Sequence, residues 1–279
     1  MRTLLISPDG MLGRAFREAL SADPQLETVS FPALDLCSEQ SVNAALQPGV
    51  QRVINCAAYT NVDGAESDEE VATQVNGHGV GRLARRCKEL GATLVHFGTD
   101  YVFDGHARAP YPVDAPIAPQ GAYGRSKALG ETLLAQSDAD HLYMRTSWLY
   151  APWAKNFVRT IARLGKEKPE LKVVADQRGR TTSAEHLAAT ALALLAADAR
   201  GTFHVTDGGE CTWFEFAQEI VRITGGAAKV LPCTSDEYPT PTKRPPYSVL
   251  DLSKTEAKLG RAMPPWQDNL ASVCARLEA

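Results

Sequence analysis

No run of apolar residues approaches the roughly 18 that a membrane-spanning helix needs. A basic excess is also missing. Lysine and arginine number 29 against 33 aspartates and glutamates, a formal charge of −4, which argues against a nucleic-acid partner. The six cysteines, at 37, 56, 87, 211, 233 and 274, include no C-x-x-C pair. That spacing points away from a disulfide framework or a zinc site and fits a reduced, cytoplasmic protein. The first six residues, MRTLLI, hold one charge and three strong apolar side chains before Ser7-Pro8-Asp9-Gly10. They are too few for a signal-peptide core and read as a first strand. Internal repeats and low-complexity tracts are absent as well. What the chain does have is apolar material, 44% of 279 residues, enough for one large domain or a core with a smaller lobe. A soluble globular enzyme is the expected class.

The first half alternates short apolar runs with segments of helical spacing. Strands are expected over 3–6, 26–30, 52–55, 93–97 and 141–145, and helices over 12–20, 41–46, 71–90 and 123–134. Gly91 is a natural left-handed stop for the third helix. This alternation predicts an α/β fold, a Rossmann-like doubly wound parallel sheet with helices on both faces. Unbroken apolar strands such as Leu94-Val95-His96-Phe97 suit a sheet covered on both sides. Beyond residue 150 the texture changes. Thr182-x-x-Glu185, Thr212-x-x-Glu215 and Ser253-x-x-Glu256 read as capping boxes at helix starts. Further strands are expected over 171–174 and 201–205. The proline-rich stretch 232–246 cannot be regular helix and is expected to be a long ordered loop of a smaller C-terminal lobe. Residues 1–150, with later returning segments, would form a dinucleotide-binding core, and 151–279 mainly a substrate-binding lobe.

Ser7-Pro8-Asp9-Gly10-Met11-Leu12-Gly13 leaves the first strand and opens the first helix. Gly10 and Gly13 match the last two glycines of a G-x-x-G-x-x-G turn, whose backbone N–H groups attract a pyrophosphate. Ser7 replaces the first glycine, and Asp9 places a negative charge near the expected phosphates. A strand–turn–helix junction without ligand would carry the same glycines. At the end of the second strand Ser30 and Phe31 offer neither an acid for a ribose 2′-hydroxyl nor an arginine for a 2′-phosphate. Asp35 and Leu36 would border the adenine, or Asp35 is a turn residue. The small residues of Asn55-Cys56-Ala57-Ala58-Tyr59, after the third strand, would leave room for a dinucleotide or merely satisfy packing.

Thr99-Asp100-Tyr101 follows the fourth strand, and Tyr123-Gly124-Arg125-Ser126-Lys127 opens the next helix. Tyr123 and Lys127, four apart, project from one helical face. A phenol titrates near ~10 in water, and a neighbouring ammonium is expected to bring it closer to neutrality. Tyr123 would then supply a proton, Lys127 tune it and also bind nicotinamide ribose hydroxyls, and Thr99 hold the substrate oxygen. Together they suit reduction of a ketone by a nicotinamide coenzyme. A lone Tyr-x-x-x-Lys is usually a solvated helical face. Joined to the threonine, the glycine turn and the parallel-sheet pattern, it becomes specific.

These residues resemble the extended short-chain dehydrogenase/reductases. Within that group, residues 99–105 (TDYVFDG), 123–127, 145–150 (RTSWLY) and Arg244-Pro245 are similar to the dTDP-4-dehydrorhamnose reductase family. So are residues 55–66 (NCAAYTNVDGAE), Asp176-Gln177-x-Gly179 and Tyr238-Pro239-Thr240-Pro241, in order over nearly the whole chain. The resemblance implies NADPH or NADH as cofactor and reduction of the C4 ketone of dTDP-4-dehydro-β-L-rhamnose to dTDP-L-rhamnose. It implies a catalytic triad of Thr99, Tyr123 and Lys127. It places Gly10, Met11 and Leu12 on the pyrophosphate, and Ala57, Ala58 and Tyr59 on the cofactor's far side. Thr99, Asp100 and Trp148 would touch the deoxysugar, Trp148 by stacking and a hydrogen bond. Without the motif, Trp148 would read as a core tryptophan. Arg244 and Lys243 would meet the substrate diphosphate.

The chain departs from the family at Ser7, at Gly98, where many relatives carry serine, and at Ala15. Some relatives pair through magnesium held by glutamates, one of them in the first helix. With Ala15 there, and although Glu185 matches another such position, no metal is expected. The chain should be a monomer or a weak homodimer, without nucleic-acid or membrane partners. Two other readings stay open: reduction of another nucleotide-linked 4-ketosugar, and a non-catalytic regulatory subunit of the methionine adenosyltransferase type.

Overall fold

Six parallel strands, all at positions expected from apolar runs, form the sheet that organises the molecule. The computed structural model describes residues 1–277. The chain begins with β1 (Thr3–Ile6), α1 (Met11–Ala19), β2 (Leu26–Val29), α2 (Glu39–Ala45) and β3 (Arg52–Asn55). It continues through α3 (Glu69–Thr73), α4 (Gly79–Leu90), β4 (Thr93–Thr99), α5 (Ala122–Gln136) and β5 (His141–Thr146). Then come β6 (Leu149–Tyr150), α6 (Phe157–Glu167), β7 (Glu170–Val174), β8 (Arg178–Gly179), β9 (Thr182–Ser183), α7 (Ala184–Ala196) and β10 (Gly201–His204). The last elements are β11 (Cys211–Thr212), α8 (Trp213–Thr224), β12 (Lys229–Cys233), α9 (Ser253–Leu259) and α10 (Trp266–Cys274).

The strand order is β10-β5-β4-β3-β1-β2, so the winding reverses between β1 and β3. A crevice opens at such a reversal, beyond the carboxyl ends of the strands. Both faces of the sheet are covered, which explains why β4 is apolar at successive positions rather than at alternate ones. On one face Leu5, Ile54 and Val95 pack with Phe16 of α1 and Leu187 of α7. On the other, Leu4, Val53 and Leu94 pack with Leu83 of α4 and Leu134 of α5. The late elements α7 and β10 thus complete the first sheet and its cover.

The helix expected over 71–90 is not uniform. Between α3 and α4, residues Gln74–His78 form a π-helical turn. Its cause is a polar side chain facing inward. Asn76, 1% exposed, accepts from the Tyr59 backbone N–H at 2.9 Å and donates to the Tyr59 carbonyl and the Ser126 hydroxyl, each at 3.0 Å. Its own carbonyl packs on α5 where Gly130 leaves room; a Cβ there would lie 2.1 Å from that oxygen. The widened turn thereby ties the segment after β3 to α5. Widened turns of this kind often sit at functional sites. The stop at Gly91 is left-handed, φ 65°.

Of the three expected capping boxes, only Thr212 and Glu215 make both reciprocal bonds. Thr182 belongs to β9, and its neighbour Ser183 caps α7 instead. Ser253 is already inside α9, its backbone N–H held by the Asp251 carboxylate at 2.7 Å. In both cases an adjacent oxygen reaches the open N–H groups first.

A second core lies beside the sheet. Tyr150, Phe216, Ile220, Trp266 and Leu270 fill the space among α6, α8 and α10, next to the parallel pair β7–β12. The proline-rich stretch starts inside β12, which takes Pro232 and Cys233, and then runs as turns and loop. The loop is anchored to the first half: Thr242, fully buried, donates to the Val62 carbonyl at 2.8 Å.

Candidate active site

The carboxyl ends of β1, β3, β4 and β5 open into one cleft of about 550 Å³, walled on its far side by Lys155, Phe157 and Trp213. Gly13 explains how α1 can start so close to β1. A Cβ at Gly13 would lie 1.9 Å from the Ser7 carbonyl oxygen. Ser7 itself takes the left-handed conformation, φ 61°, at the place where the turn's first glycine is replaced. Gly10 is the N-cap of α1 and makes no side-chain cap bond, so the first-turn N–H groups are left without a side-chain acceptor. Asp9 is turned to Arg17 at 2.6 Å, which offsets its charge. An uncapped helix start bordering a cleft, with Ala57 and Ala58 lining it, fits the pyrophosphate of a nicotinamide dinucleotide.

Thr99, Asp100, Tyr123, Lys127 and Trp148 line the same cleft. Lys127 is 4% exposed, and its Nζ donates to the Phe97 carbonyl at 2.6 Å. Burial brings its pKa down to about 8, with the Glu131 carboxylate working the other way. The Tyr123 phenol moves opposite to expectation. Burial raises its pKa, the charge of Asp100 raises it further, and the hydrogen bond with Thr99 only partly offsets them. A desolvated phenol resists ionisation, and the ammonium expected to acidify it is bonded to a carbonyl instead. The protonated phenol is the form this site holds at neutral pH.

The Thr99 hydroxyl donates to Asp100 Oδ1 at 3.1 Å and accepts the Tyr101 N–H at 3.2 Å. Asp100 is 2% exposed, and burial pushes its carboxyl up to about 6. Trp148 is left-handed, φ 46°, and its ring stacks on Trp213 with centroids 3.7 Å apart. Gly179 admits that ring, since a Cβ there would come within 2.8 Å of the indole. Trp148 is therefore a half-buried cleft wall backed by a second indole.

Other residues singled out in the sequence lie elsewhere. Ser30, Asp35, Leu36 and Tyr59 are not among the residues lining the cleft. The Asp35 carboxylate accepts the Cys37 N–H at 2.8 Å, as a turn residue does. Leu36 belongs to the core with Leu34 and Val42. The Tyr59 hydroxyl donates to Asp68 at 3.3 Å. Arg244 borders a neighbouring recess with Lys243 and binds Asp63 at 3.1 Å. Glu185 receives a two-pronged bond from Arg276, at 2.7 and 2.6 Å. Among the described residues no group of three or more His, Cys, Asp or Glu could hold a metal ion. No helix among them is long and apolar enough to cross a membrane.

Lys155, Asn156, Phe157 and Trp213 also line the cleft, and the sequence reading did not single them out. The available signal was positional: Asn156 and Thr212 are N-caps, so residues beside them sit at helix starts. A larger groove, about 710 Å³, runs along the outer face of α6 past Arg159, Arg163 and Lys166. It contains neither the tyrosine nor the glycine turn.

A doubly wound parallel sheet with a helix-borne Tyr-x-x-x-Lys at its carboxyl edge defines an oxidoreductase of the short-chain dehydrogenase/reductase type, which uses NAD(P)H. The family described as "RmlD substrate binding domain" matches residues 1–279. The dTDP-4-dehydrorhamnose reductase of Burkholderia thailandensis is 38% identical, over 99% of this chain and 98% of its own. A crystal structure of a dTDP-4-dehydrorhamnose reductase from Clostridium acetobutylicum superposes with a TM-score of 0.96, at 38% identity and 100% coverage of both chains. That from Bacillus anthracis, in complex with NADP, gives 0.93 at 33% identity, covering 98% of each chain. The chain belongs to the dTDP-4-dehydrorhamnose reductase family.

Proposed function

We propose that this protein reduces the C4 ketone of dTDP-4-dehydro-β-L-rhamnose to dTDP-L-rhamnose. The observation that carries the reading is a half-buried, protonated phenol, Tyr123, in one cleft with Lys127, Thr99 and an uncapped helix start. The relatives' names supply the sugar nucleotide. Bound against Gly10, Met11 and Leu12, NADPH or NADH supplies the hydride.

This chain's residues handle the proton. The ketone oxygen accepts hydrogen bonds from the Tyr123 phenol and the Thr99 hydroxyl. As negative charge builds on that oxygen, the phenolic proton crosses to it. A far more basic alkoxide drives the transfer, so a phenol with a raised pKa remains an adequate acid. Lys127, one helical turn along from Tyr123, carries a cation that favours the phenolate left behind. Trp148, backed by Trp213, offers a flat apolar face to the deoxysugar ring. Lys243 and Arg244, beside the cleft, and Lys155, on its wall, are the cations placed for the diphosphate.

Residues 1–150 with α7 and β10 form the dinucleotide half of this reading, and the second core forms the sugar half. Six free thiols fit a reducing, cytoplasmic setting. With the Glu185 carboxylate held by Arg276, a monomer or weak homodimer is the proposed state. The test is turnover of a panel of enzymatically generated 4-ketosugar nucleotides with each coenzyme, followed by loss of absorbance of the reduced nicotinamide. The rhamnose precursor should be consumed fastest. A protein that consumes neither coenzyme with any of them removes the proposal.

A further inference from the structure

A buried ammonium gives up its charge easily, and the reaction proposed above needs that charge while Tyr123 releases its proton. The groups around Lys127 and Glu131 come from three elements. From β4 come the Phe97 carbonyl and His96, which is 2% exposed and which burial and Lys127 hold neutral. From α5 come Tyr123 and Glu131, one turn to either side of Lys127, and Tyr143 and Arg145 of β5 stand beside Glu131. Only Glu131 in this set supplies a negative charge that favours the ammonium. It stands four residues after Lys127, one turn along the same helix face, and is 8% exposed.

Glu131 is itself fixed. Arg145 Nε donates to Oε2 at 3.1 Å and Nη2 donates to Oε1. The guanidinium, 3% exposed, also donates to the Val113 carbonyl at 2.8 Å and meets His204 Nε2 at 3.0 Å. His204 Nδ1 faces the Asp251 carbonyl at 3.1 Å. A carbonyl can only accept, so the imidazole proton sits on Nδ1 and Nε2 accepts from Arg145. Burial holds the His204 pKa down to about 3, which keeps that tautomer neutral over the working range.

We infer that Glu131, which lines no part of the cleft, is a positioning residue for the reduction: held by Arg145 and His204, it keeps Lys127 cationic beneath the substrate. The inference rests on the role given to Lys127 above. Arg145 and His204 matter because a carboxylate free to swing would bond elsewhere.

The test compares the holoenzyme with Glu131→Gln, which keeps an acceptor for Arg145 and loses the charge. Two pH profiles are measured, kcat and NADPH affinity by coenzyme fluorescence, with circular dichroism as the fold control. The alkaline limb of both, near 8 in the native protein, should move down by about one unit in the variant. Turnover at pH 8.5 should then drop nearly tenfold, and at pH 6.5 by less than about twofold. Should the single variant fail to fold, Glu131→Asp, which keeps the charge but draws it back from Lys127, should move both limbs down by a smaller step. A folded variant whose two limbs stay in place overturns the inference. If the native protein turns over no ketosugar but the binding limb still moves, the proposed reaction fails and the hold of Glu131 on Lys127 stands.

Discussion

Lys127 Nζ lies 2.6 Å from the Phe97 carbonyl oxygen, to which it donates. The four-residue spacing alone would aim this ammonium at the Tyr123 phenol, to make it acidic. The geometry instead leaves Tyr123 a half-buried, protonated acid and Lys127 a cation whose own charge is the vulnerable quantity.

Removing the phenolic hydroxyl should therefore remove the proton and little else. Tyr123→Phe is expected to lower kcat by about 10²–10⁴-fold. NADPH affinity and the melting temperature should stay near native, since the ring keeps its edge-on contact with Tyr101 at 5.7 Å. Steady-state kinetics beside fluorescence titration and thermal unfolding check both halves. Native-like turnover would take Tyr123 out of the mechanism.

The native pH profile should fall on its alkaline side as pH rises through about 8. The sign follows from the base type: Lys127 is active as the protonated cation and loses it above its lowered pKa. Tyr123 titrates well above that limb and cannot be its source. Lys127→Met should abolish the limb and lower turnover at all pH values. A native profile flat to pH 10 would contradict the assignment.

Asp100 should cost the fold stability at neutral pH. Its carboxyl is pushed from 3.8 up to about 6 by burial. Between those values the native state keeps a proton that the unfolded chain has released, so stability falls as pH rises through the window. Above it the buried charge remains a penalty. Asp100→Asn should thus be more stable than native by about 1–3 kcal/mol at pH 7, with the gap closing by pH 4. Urea unfolding at the two pH values measures it, and a variant less stable at pH 7 refutes the reading.

The glycine at position 98 is explained by Tyr143. A Cβ at Gly98 would lie 2.2 Å from the Tyr143 hydroxyl oxygen, on a side chain 1% exposed. Gly98→Ser should cost about 1–3 kcal/mol by overpacking. Tyr143→Phe removes the nearest atom and leaves ring carbons Cζ and Cε1 at 2.6 and 2.9 Å, so the double variant should recover only part of that loss. Equilibrium unfolding of the four proteins gives the coupling, and strictly additive losses would exclude this contact.

The elements that were legible in the sequence depend on near neighbours. β3 was bounded correctly because a strand buried on both faces is a short unbroken apolar run. Gly91 could be identified as a stop because a left-handed turn selects glycine locally. Tyr123 and Lys127 could be placed on one face because helical spacing is a matter of four residues. The π-helical turn at Gln74–His78 was not legible, since it exists to let Asn76 reach Tyr59 and Ser126, 17 and 50 residues away. The choice of Ser183 over Thr182 as cap was also out of reach, because pairing with β6 claims Thr182.

Sequence alone determined the parallel sheet, through strand–helix alternation, and the identity of the Tyr-x-x-x-Lys pair, through spacing within one helix. Tertiary structure decided how those groups behave. Lys127 meets a carbonyl 30 residues earlier, Arg244 meets Asp63 from 181 residues away, and Arg276 meets Glu185 from 91. Each such contact sets a charge or a direction through burial and distance in space. Neither quantity is a function of spacing along the chain, so they become known only once the chain has closed on itself.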